Sequence, residues 1–309
     1  MMYPILCKVR FERLHHSFRT KSLWKQVGFS LVVNWIIAPF FMVRLFTRGS
    51  GVCERTLTTC CQLALAWAFL PDEKGLREGL ILVGIARCIA MVLIWTGLAG
   101  GDSEYCAILV AINSILQMVL FAPLALLFIE DISHASEKVD VDYVPVAKSV
   151  GVFLGIPLGA AILTRFTLRK LIGEDRYEKR FLTWIGPLSL LGLLFTIIVL
   201  FGSQGRRVVH QITSVLRVAA PLVVYFAVIF GATLCVCRRL GFSYGLACTQ
   251  SFTAASNNFE LAIAVAIATF GVDSDQALAA TVGPLIEVPV LLGLVYVVRW
   301  FGRRKKWTP

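Results

Sequence analysis

The chain has 309 residues, of which 57% are hydrophobic, and its formal net charge at neutral pH is +11. Its mean hydropathy of +0.76 argues against a soluble protein, because soluble domains rarely contain more than about half apolar residues. The positive charges lie in short segments between apolar runs, so they indicate membrane topology and not a nucleic-acid partner. The nine cysteines are odd in number and lie mostly in or beside apolar runs, which argues against a disulfide framework.

Long apolar runs recur along the chain, and most are long enough to cross a hydrocarbon core of roughly 30 Å. In chain order the predicted spans are Phe29–Phe46, Leu57–Leu70, Gly79–Leu98, Tyr105–Ile129, Val144–Leu163, Trp184–Phe201, Val215–Cys237, Gly245–Phe270 and Gln276–Trp300. The second of these is too short to cross alone. The sequence therefore predicts an all-α, polytopic protein embedded in the lipid bilayer.

Basic loops alternate with acidic or mixed loops. Lysines and arginines concentrate before the first span, in the loop 165–180, after Cys237 and in the tail, while loops 130–142 and 271–275 are acidic or mixed. The pair Arg206-Arg207 is an exception. Because basic loops stay on the cytoplasmic side, we expect both termini in the cytoplasm, with the plasma membrane as the location and the vacuolar membrane as the alternative.

The predicted domains follow from this topology. Residues 1–27 are interpreted as the remnant of an early helix with a basic cytoplasmic loop, 28–302 as the membrane transport domain, and 303–309 as a basic cytoplasmic tail. Two cytoplasmic termini require an even number of crossings, so the first two apolar runs should count as one. Residues 43–63 between them contain arginines and a Gly-Ser-Gly stretch, and we interpret this segment as an insertion.

Arg87 and Cys88 lie near the middle of the predicted span Gly79–Leu98. A charge at the bilayer centre costs about 2.5–3.5 kcal/mol on insertion scales, so an arginine at this depth points to a functional site. A lone membrane cysteine is most often a small packing residue. An adjacent cation, however, favours the thiolate that binds soft metals, provided that the local geometry brings the two groups together.

A second polar cluster lies in the middle of the span Gly245–Phe270. Asn257 and Glu260 are three residues apart and are predicted to share one helix face. The run Ser256-Asn257-Asn258 is a plausible break, where freed backbone groups line a cavity. Hydrogen bonding between helices would explain the asparagines equally well, but packing does not require the carboxylate of Glu260.

Glu287 lies at the centre of the last predicted span, between Pro284 and Pro289. Each proline removes a backbone donor and loosens the helix. Low-dielectric surroundings favour the neutral form of a carboxyl group, which makes Glu287 a candidate for the residue that takes up and releases a proton. The alternative is a structural ion pair with Arg87.

Other polar residues give weaker signals. Asn113 in the span Tyr105–Ile129 either lines the cavity or bonds a neighbouring helix. Cys235 and Cys237 are two residues apart and do not face each other on a helix, so they predict no metal site. All four histidines lie in loops, and neither a phosphate loop nor a zinc-type spacing occurs. We therefore expect no cofactor, no metal and no catalytic residue, and we do not expect an enzyme.

Four segments closely resemble the arsenite permeases of the arsenical-resistance type, which belong to the bile acid/sodium symporter superfamily. They are YPxxxKVRFE from Tyr3, GIARCIAMV from Gly84, FTAASNNFELAIA from Phe252 and GPLIEVP from Gly283. The resemblance covers nearly the whole chain apart from residues 43–63. It implies ten helices in two inverted repeats of five, with a panel domain facing a core domain in which Gly79–Leu98 and Gly245–Phe270 are broken and cross. The first helices of that pattern would lie before Tyr3, so we expect one repeat to be incomplete in this chain.

The resemblance implies efflux of arsenite or antimonite, coupled to inward movement of protons. Cys88 and Glu287 match the essential cysteine and glutamate of the family, and Asn257, Asn258 and Glu260 match its core-helix motif. We accordingly assign Glu287 to proton coupling. The predicted substrate-binding residues are Cys88, Arg87, Asn113, Asn257, Asn258 and Glu260.

Two alternatives stay open. A sodium-coupled organic anion symporter of the same superfamily would use the oxygens of Asn113, Ser114 and Glu260 for sodium, and its transport would not depend on Cys88. A truncated relative without transport activity is the other alternative. It is favoured by the missing first helices and opposed by the intact polar residues at mid-membrane depth.

Overall fold

A computed structural model of the chain describes residues 2–7, 21–38, 69–70, 72–89, 91–126, 143–304 and 307. The helices within these residues are α1 (Met2–Leu6), α2 (Lys21–Leu31, continued by the π-helical stretch Val32–Ile37), α3 (Lys74–Ile85), α4 (Val92–Ala99), α5 (Ser103–Leu126), α6 (Tyr143–Val150, the π-helical stretch Gly151–Gly155 and Ile156–Ile172), α7 (Glu174–Arg176, the π-helical stretch Tyr177–Phe181 and Leu182–His210), α8 (Ile212–Arg239), α9 (Tyr244–Ala255), α10 (Phe259–Phe270) and α11 (Asp275–Arg304).

Among the described residues, four helices are long and apolar enough to cross a membrane. They are Ser103–Leu126, Val146–Ile172, Ile212–Arg239 and Asp275–Arg304. A helix rises about 1.5 Å per residue, so 24 to 30 residues exceed the thickness of the hydrocarbon core. The predicted class, an all-α polytopic membrane protein, is confirmed.

The predicted loop 165–180 is wrong, because this stretch is helical except at Gly173. Gly173 has a φ of +84°, a conformation that glycine adopts without steric cost, and it turns the chain from α6 directly into α7. Arg165 is buried and donates a hydrogen bond to the Cys7 carbonyl (3.1 Å). Its guanidinium also lies 5.3 Å from the centre of the Tyr177 ring, so this arginine holds the start of the chain against α6 and α7.

The expected loop around Arg206 and Arg207 is also helical, since both residues lie within Leu182–His210. The helices α1 and α2 fall within the predicted N-terminal segment 1–27 or begin in it. The predicted insertion, 43–63, and the acidic loop 130–142 lie outside the described residues.

The centre of the molecule is α11, which packs against α3, α8 and α10. Glycines lie where α11 comes closest to α3 and α10. A methyl group on Gly79 of α3 would lie 2.5 Å from the Gln276 carbonyl oxygen, and one on Gly283 of α11 would overlap the ring of Phe259. Small residues at helix contacts let backbones approach closely in membranes, and here they bring α11 against both broken helices.

Candidate functional site

Two helices are interrupted near their middles. The run Ser256-Asn257-Asn258 predicted a break in the span Gly245–Phe270, and the resemblance implied that the span Gly79–Leu98 is broken as well. The first break separates α3, which ends at Ile85, from α4, which begins at Val92. The second separates α9, which ends at Ala255, from α10, which begins at Phe259. The backbone at Ala86 and at Ser256 is extended, with ψ of 108° and 142°. Each break therefore frees backbone groups in the interior of the bundle.

The two breaks satisfy each other's backbone groups. The Asn258 N–H donates to the Ala86 carbonyl (2.9 Å), and the Cys88 N–H donates to the Ser256 carbonyl (3.3 Å). Arg87 and Asn257 form an antiparallel bridge between them. Irregular backbone at membrane depth is tolerated only where protein or a water-filled cavity satisfies it, so this pairing is what allows both helices to be broken at the same point. We call residues 86–89 and 256–258 the crossing.

Glu287 from α11 lies directly against the crossing. Its Oε1 accepts hydrogen bonds from the Ser256 hydroxyl (2.5 Å) and from the Asn257 N–H (3.2 Å). The side chain is fully buried, and Oε2 has no hydrogen-bond partner. Buried polar atoms are normally paired, so the bare oxygen is a place where a proton or a solute group can bind. Among the described residues Glu287 makes no ion pair, and the alternative of a pair with Arg87 is therefore wrong.

Cys88 shares Ser256 with Glu287. Its thiol is buried, and it interacts with the Ser256 hydroxyl and, electrostatically, with the Glu287 carboxyl group. The crossing thus brings a soft sulfur and a carboxyl group to the same hydroxyl, that of Ser256. These groups are almost 200 residues apart in the chain, and only the pairing of the two breaks places them together.

Arg87 does not face the thiol. Its guanidinium donates to the Tyr225 hydroxyl (3.3 Å) and to the Gly84 carbonyl, and its backbone N–H donates to Gln117 Oε1 (3.0 Å). Successive residues of an extended segment project to opposite sides, so the cation beside Cys88 in the sequence lies away from it in space. The interpretation that Arg87 favours the Cys88 thiolate is wrong for this geometry.

The asparagines of the second break have structural partners. The Asn257 amide donates to the Val83 carbonyl (2.8 Å), and its oxygen accepts from the Tyr225 hydroxyl (3.2 Å). Asn258 caps α10, because its Oδ1 accepts from the Leu261 N–H (3.3 Å). Its Nδ2 is buried without a partner.

The expectation that Asn257 and Glu260 share a helix face is wrong, because Asn257 is extended and α10 begins only at Phe259. Glu260 lies in the first turn of α10 and is only partly buried. The expectation assumed one continuous helix through Asn257 and Glu260. The run Ser256-Asn257-Asn258 interrupts that helix, so the two residues do not share a face.

Asn113 lies on α5, one helical turn from Gln117. Its Oδ1 accepts from the Trp35 indole N–H (3.1 Å), while its Nδ2 is buried without a partner. Ser114 donates to the Val110 carbonyl (2.7 Å) within its own helix. Among the described residues, no hydrogen bond joins the Asn113 side chain to the crossing or to Glu287.

Sequence reasoning missed three residues of this network: Gln117, Tyr225 and Ser256. Tyr225 connects both breaks to α8, because its hydroxyl meets Arg87 from one break and Asn257 from the other. A glutamine and a tyrosine inside long apolar spans are themselves a signal, since polar side chains there usually bond a neighbouring helix. Ser256 was part of the predicted break but had no assigned role.

Two discontinuous helices that meet at a buried polar site, inside a bundle of apolar spans, define a secondary transporter. The chain belongs to the Sodium Bile acid symporter family, whose model matches residues 1–211. It is 44% identical to the arsenical-resistance protein Acr3 of Corynebacterium glutamicum over 98% of this chain and 76% of the relative. It is 32% identical to Acr3 of Alkaliphilus metalliredigens, over 100% of this chain and 81% of that protein. An uncharacterised transporter of Synechocystis is 34% identical over 98% and 78% of the two chains. The predicted resemblance to the arsenical-resistance permeases is confirmed.

Proposed function

We propose that the protein exports arsenite, and antimonite by the same chemistry, in exchange for protons. The observation that carries this proposal is the chain Cys88–Ser256–Glu287 at the crossing, where one thiol and one carboxyl group with a free oxygen are buried together. Soft thiol ligands suit soft metalloid ions. The names of the relatives from Corynebacterium and Alkaliphilus support arsenicals as the cargo.

Arsenite at neutral pH is mostly an uncharged trihydroxy species, so its site needs little compensating charge. One sulfur from Cys88 holds the arsenic, and polar groups of the crossing bond its hydroxyls. The Glu287 Oε2 and the Asn258 Nδ2, both buried without partners, offer an acceptor and a donor for this purpose. A single sulfur binds weakly enough for release, whereas a cage of several thiolates would trap the ion.

Coupling requires that a proton change the free-energy difference between the inward-facing and outward-facing states. Glu287 is placed for this role, because it holds the second break through Ser256 and the Asn257 backbone. As a carboxylate it accepts both hydrogen bonds and holds the crossing as described. Protonation weakens these bonds, and it converts one oxygen into a donor. The crossing would then move relative to α11 according to whether Glu287 carries a proton.

The location follows the charge pattern: we propose the plasma membrane, with both termini in the cytoplasm, and the vacuolar membrane as the alternative. The segment 43–63 is proposed to be an insertion that transport does not need. A version lacking these residues, expressed beside the chain as given, tests that part separately.

Arsenite accumulation in an efflux-deficient cell tests the cargo. Cells that express this chain should accumulate less arsenite than cells that do not, and Cys88→Ala should remove the effect. Cys106→Ala is the matched control, since Cys106 is a buried cysteine on α5 whose thiol accepts a hydrogen bond from the Thr96 hydroxyl (3.5 Å). If Cys88→Ala exports as well as the unchanged chain, the sulfur does not bind the cargo.

A sodium-coupled organic anion symporter is the second candidate, favoured by the family to which the chain belongs. It predicts uptake that depends on sodium and is unaffected by Cys88→Ala. The Asn113 Oδ1 already accepts a hydrogen bond from the Trp35 indole N–H, which makes this candidate the weaker of the two.

A further inference from the structure

A groove with an apolar wall and a basic rim lies at one end of α8 and α11, away from the crossing. It encloses about 490 Å³ and is lined by Gly231, Leu234, Arg238, Arg239, Phe301 and Trp307, among others. The wall is formed along α8 by Gly231, Leu234 and the exposed Cys235. The groove therefore joins an apolar stretch of α8 to the two arginines at the end of that helix.

One arginine of the rim is held in place by aromatic rings. The Arg238 guanidinium lies 5.4 Å from the centre of the Phe301 ring and 5.3 Å from that of Trp307. The Trp307 indole is fixed in turn by its hydrogen bond to the Phe242 carbonyl (3.1 Å). A guanidinium stacked in this way keeps its N–H donors available for a planar or tetrahedral oxyanion.

A second hollow of about 330 Å³ adjoins the first at Trp307 and adds two further cations, Arg299 and Arg303. Arg304 stacks on Trp300, 4.6 Å from the ring centre. Neither hollow has an aspartate or a glutamate in its lining. In the part of the chain that the structure describes, four arginines thus line the two hollows around Trp307, and none of the four makes an ion pair.

We propose that this groove binds the headgroup of an anionic phospholipid, with an acyl chain along α8. The lipid phosphate would lie between Arg238 and Arg239, and Trp307 would cover it at the level of the interface. Basic pockets between membrane helices select anionic lipids because the cations pair with the phosphate, and tryptophans favour the interface. The apolar wall beside the cations distinguishes a lipid from a free phosphate ion, which needs no such wall.

Residues that line the second hollow belong to both broken helices, α4 at Ala99 and α9 at Tyr244. Tyr244, the first residue of α9, lines the second hollow and donates a hydrogen bond to the carbonyl of Ala99, the last residue of α4 (2.9 Å). A methyl group on Gly302 of α11 would come within 2.5 Å of the Tyr244 ring. A bound headgroup would therefore hold the ends of α4, α9 and α11 together, whatever solute the crossing carries.

The test uses the full chain purified in a neutral detergent and titrated with phosphatidylglycerol or phosphatidylcholine. Retained lipid and the unfolding temperature are measured. We expect phosphatidylglycerol to bind and to raise the unfolding temperature, and phosphatidylcholine to do neither. The double variant R238A/R239A should bind phosphatidylglycerol roughly thirtyfold more weakly, since each cation contributes about fivefold near an anionic surface.

Two variants make the result specific. Arg180→Ala removes an exposed arginine of α7 outside the groove and should leave binding unchanged. Trp307→Ala keeps every cation and should weaken binding by loosening Arg238. Equal binding of both lipids, wild-type binding by R238A/R239A, or equal loss in the Arg180 variant would overturn the proposal. If inorganic phosphate stabilises the protein as strongly as phosphatidylglycerol does, the groove is a site for a free anion and the lipid assignment is wrong.

Discussion

The crossing and the α6–α7 pair both lie among apolar helices, but they differ in which side chains are buried and which are exposed. At the crossing, nearly every side chain is buried and polar atoms from five helices bond one another. Along α6 and α7 large apolar side chains face outward, such as Leu163, Phe195 and Trp184, which are 66%, 68% and 80% exposed. The crossing needs particular residues, because each bond fixes a direction and a distance, whereas the lipid-facing surface needs only apolar ones.

This difference has a physical cause. Lipid tails are as apolar as a leucine side chain, so a membrane provides no hydrophobic driving force that distinguishes one apolar residue from another on the outer surface. A buried polar group without its partner, in contrast, costs about 1–3 kcal/mol. Substitutions that test the comparison should therefore have large effects at the crossing and small effects on α6 and α7.

The largest effect is expected for Glu287→Gln. The amide keeps the size of the side chain but cannot take up or release a proton near neutral pH, so export should no longer respond to a pH gradient. Uptake of arsenite into everted membrane vesicles, with and without an imposed gradient, measures this response. Asp273→Asn, which neutralises an exposed acid of the loop before α11, is the control. Export by the Glu287 variant that is still driven by the gradient would refute the proton-carrier role.

A steric substitution tests how tightly the crossing is packed. Gly283→Ala places a methyl group into the ring of Phe259, and overpacking of this kind should lower the free energy of unfolding by about 3 kcal/mol. Gly293→Ala on the same helix meets open space and should be neutral or stabilising by up to about 1 kcal/mol, because alanine favours helices. Thermal unfolding in detergent compares the two. Equal stabilities would mean that α11 does not approach Phe259 this closely.

Tyr225→Phe should have a smaller effect. It removes the hydroxyl that bonds both Arg87 and Asn257 and should cost about 1–3 kcal/mol of stability, since both partners stay buried. Export should fall as well, because the two breaks lose their shared contact with α8. Tyr296→Phe, at a tyrosine that is mostly exposed on α11, is the matched control. A Tyr225 variant indistinguishable from it would show that the hydroxyl does not hold the crossing.

The same contrast explains what the sequence could predict. The spans and the second break were predictable, because long apolar runs and the run Ser256-Asn257-Asn258 reflect local rules on hydropathy and helix formation. The break in Gly79–Leu98 was implied only by the resemblance to the family. Cys88 and Glu287 were identifiable as unusual residues at mid-membrane depth. Their common partner was not, since Ser256 joins them only after the two breaks pair as extended segments.

The sequence did not predict the directions in which the side chains of the two breaks point. Arg87 was expected to face Cys88, and Asn257 was expected to share a face with Glu260. Both expectations assumed helical geometry at positions where the backbone is extended. The prediction of a loop at 165–180 was wrong for a related reason. The charges of this segment indicated an exposed turn, but Arg165 is buried against the Cys7 carbonyl, and the sequence alone does not indicate this contact.

The smallest effect is expected on the lipid-facing side. Phe195→Leu on α7 exchanges one exposed apolar side chain for another and should change the free energy of unfolding by no more than about 0.5 kcal/mol. Phe252→Leu is the same substitution at a buried residue, whose ring packs 4.8 Å from the Phe230 ring. It should cost about 1–2 kcal/mol, because the smaller side chain leaves a cavity and removes an aromatic contact. Both values come from one unfolding series in the same detergent. If Phe195→Leu costs as much as Phe252→Leu, then α7 packs against another protein surface and does not face lipid, and the contrast between the two regions would hold only for the isolated chain.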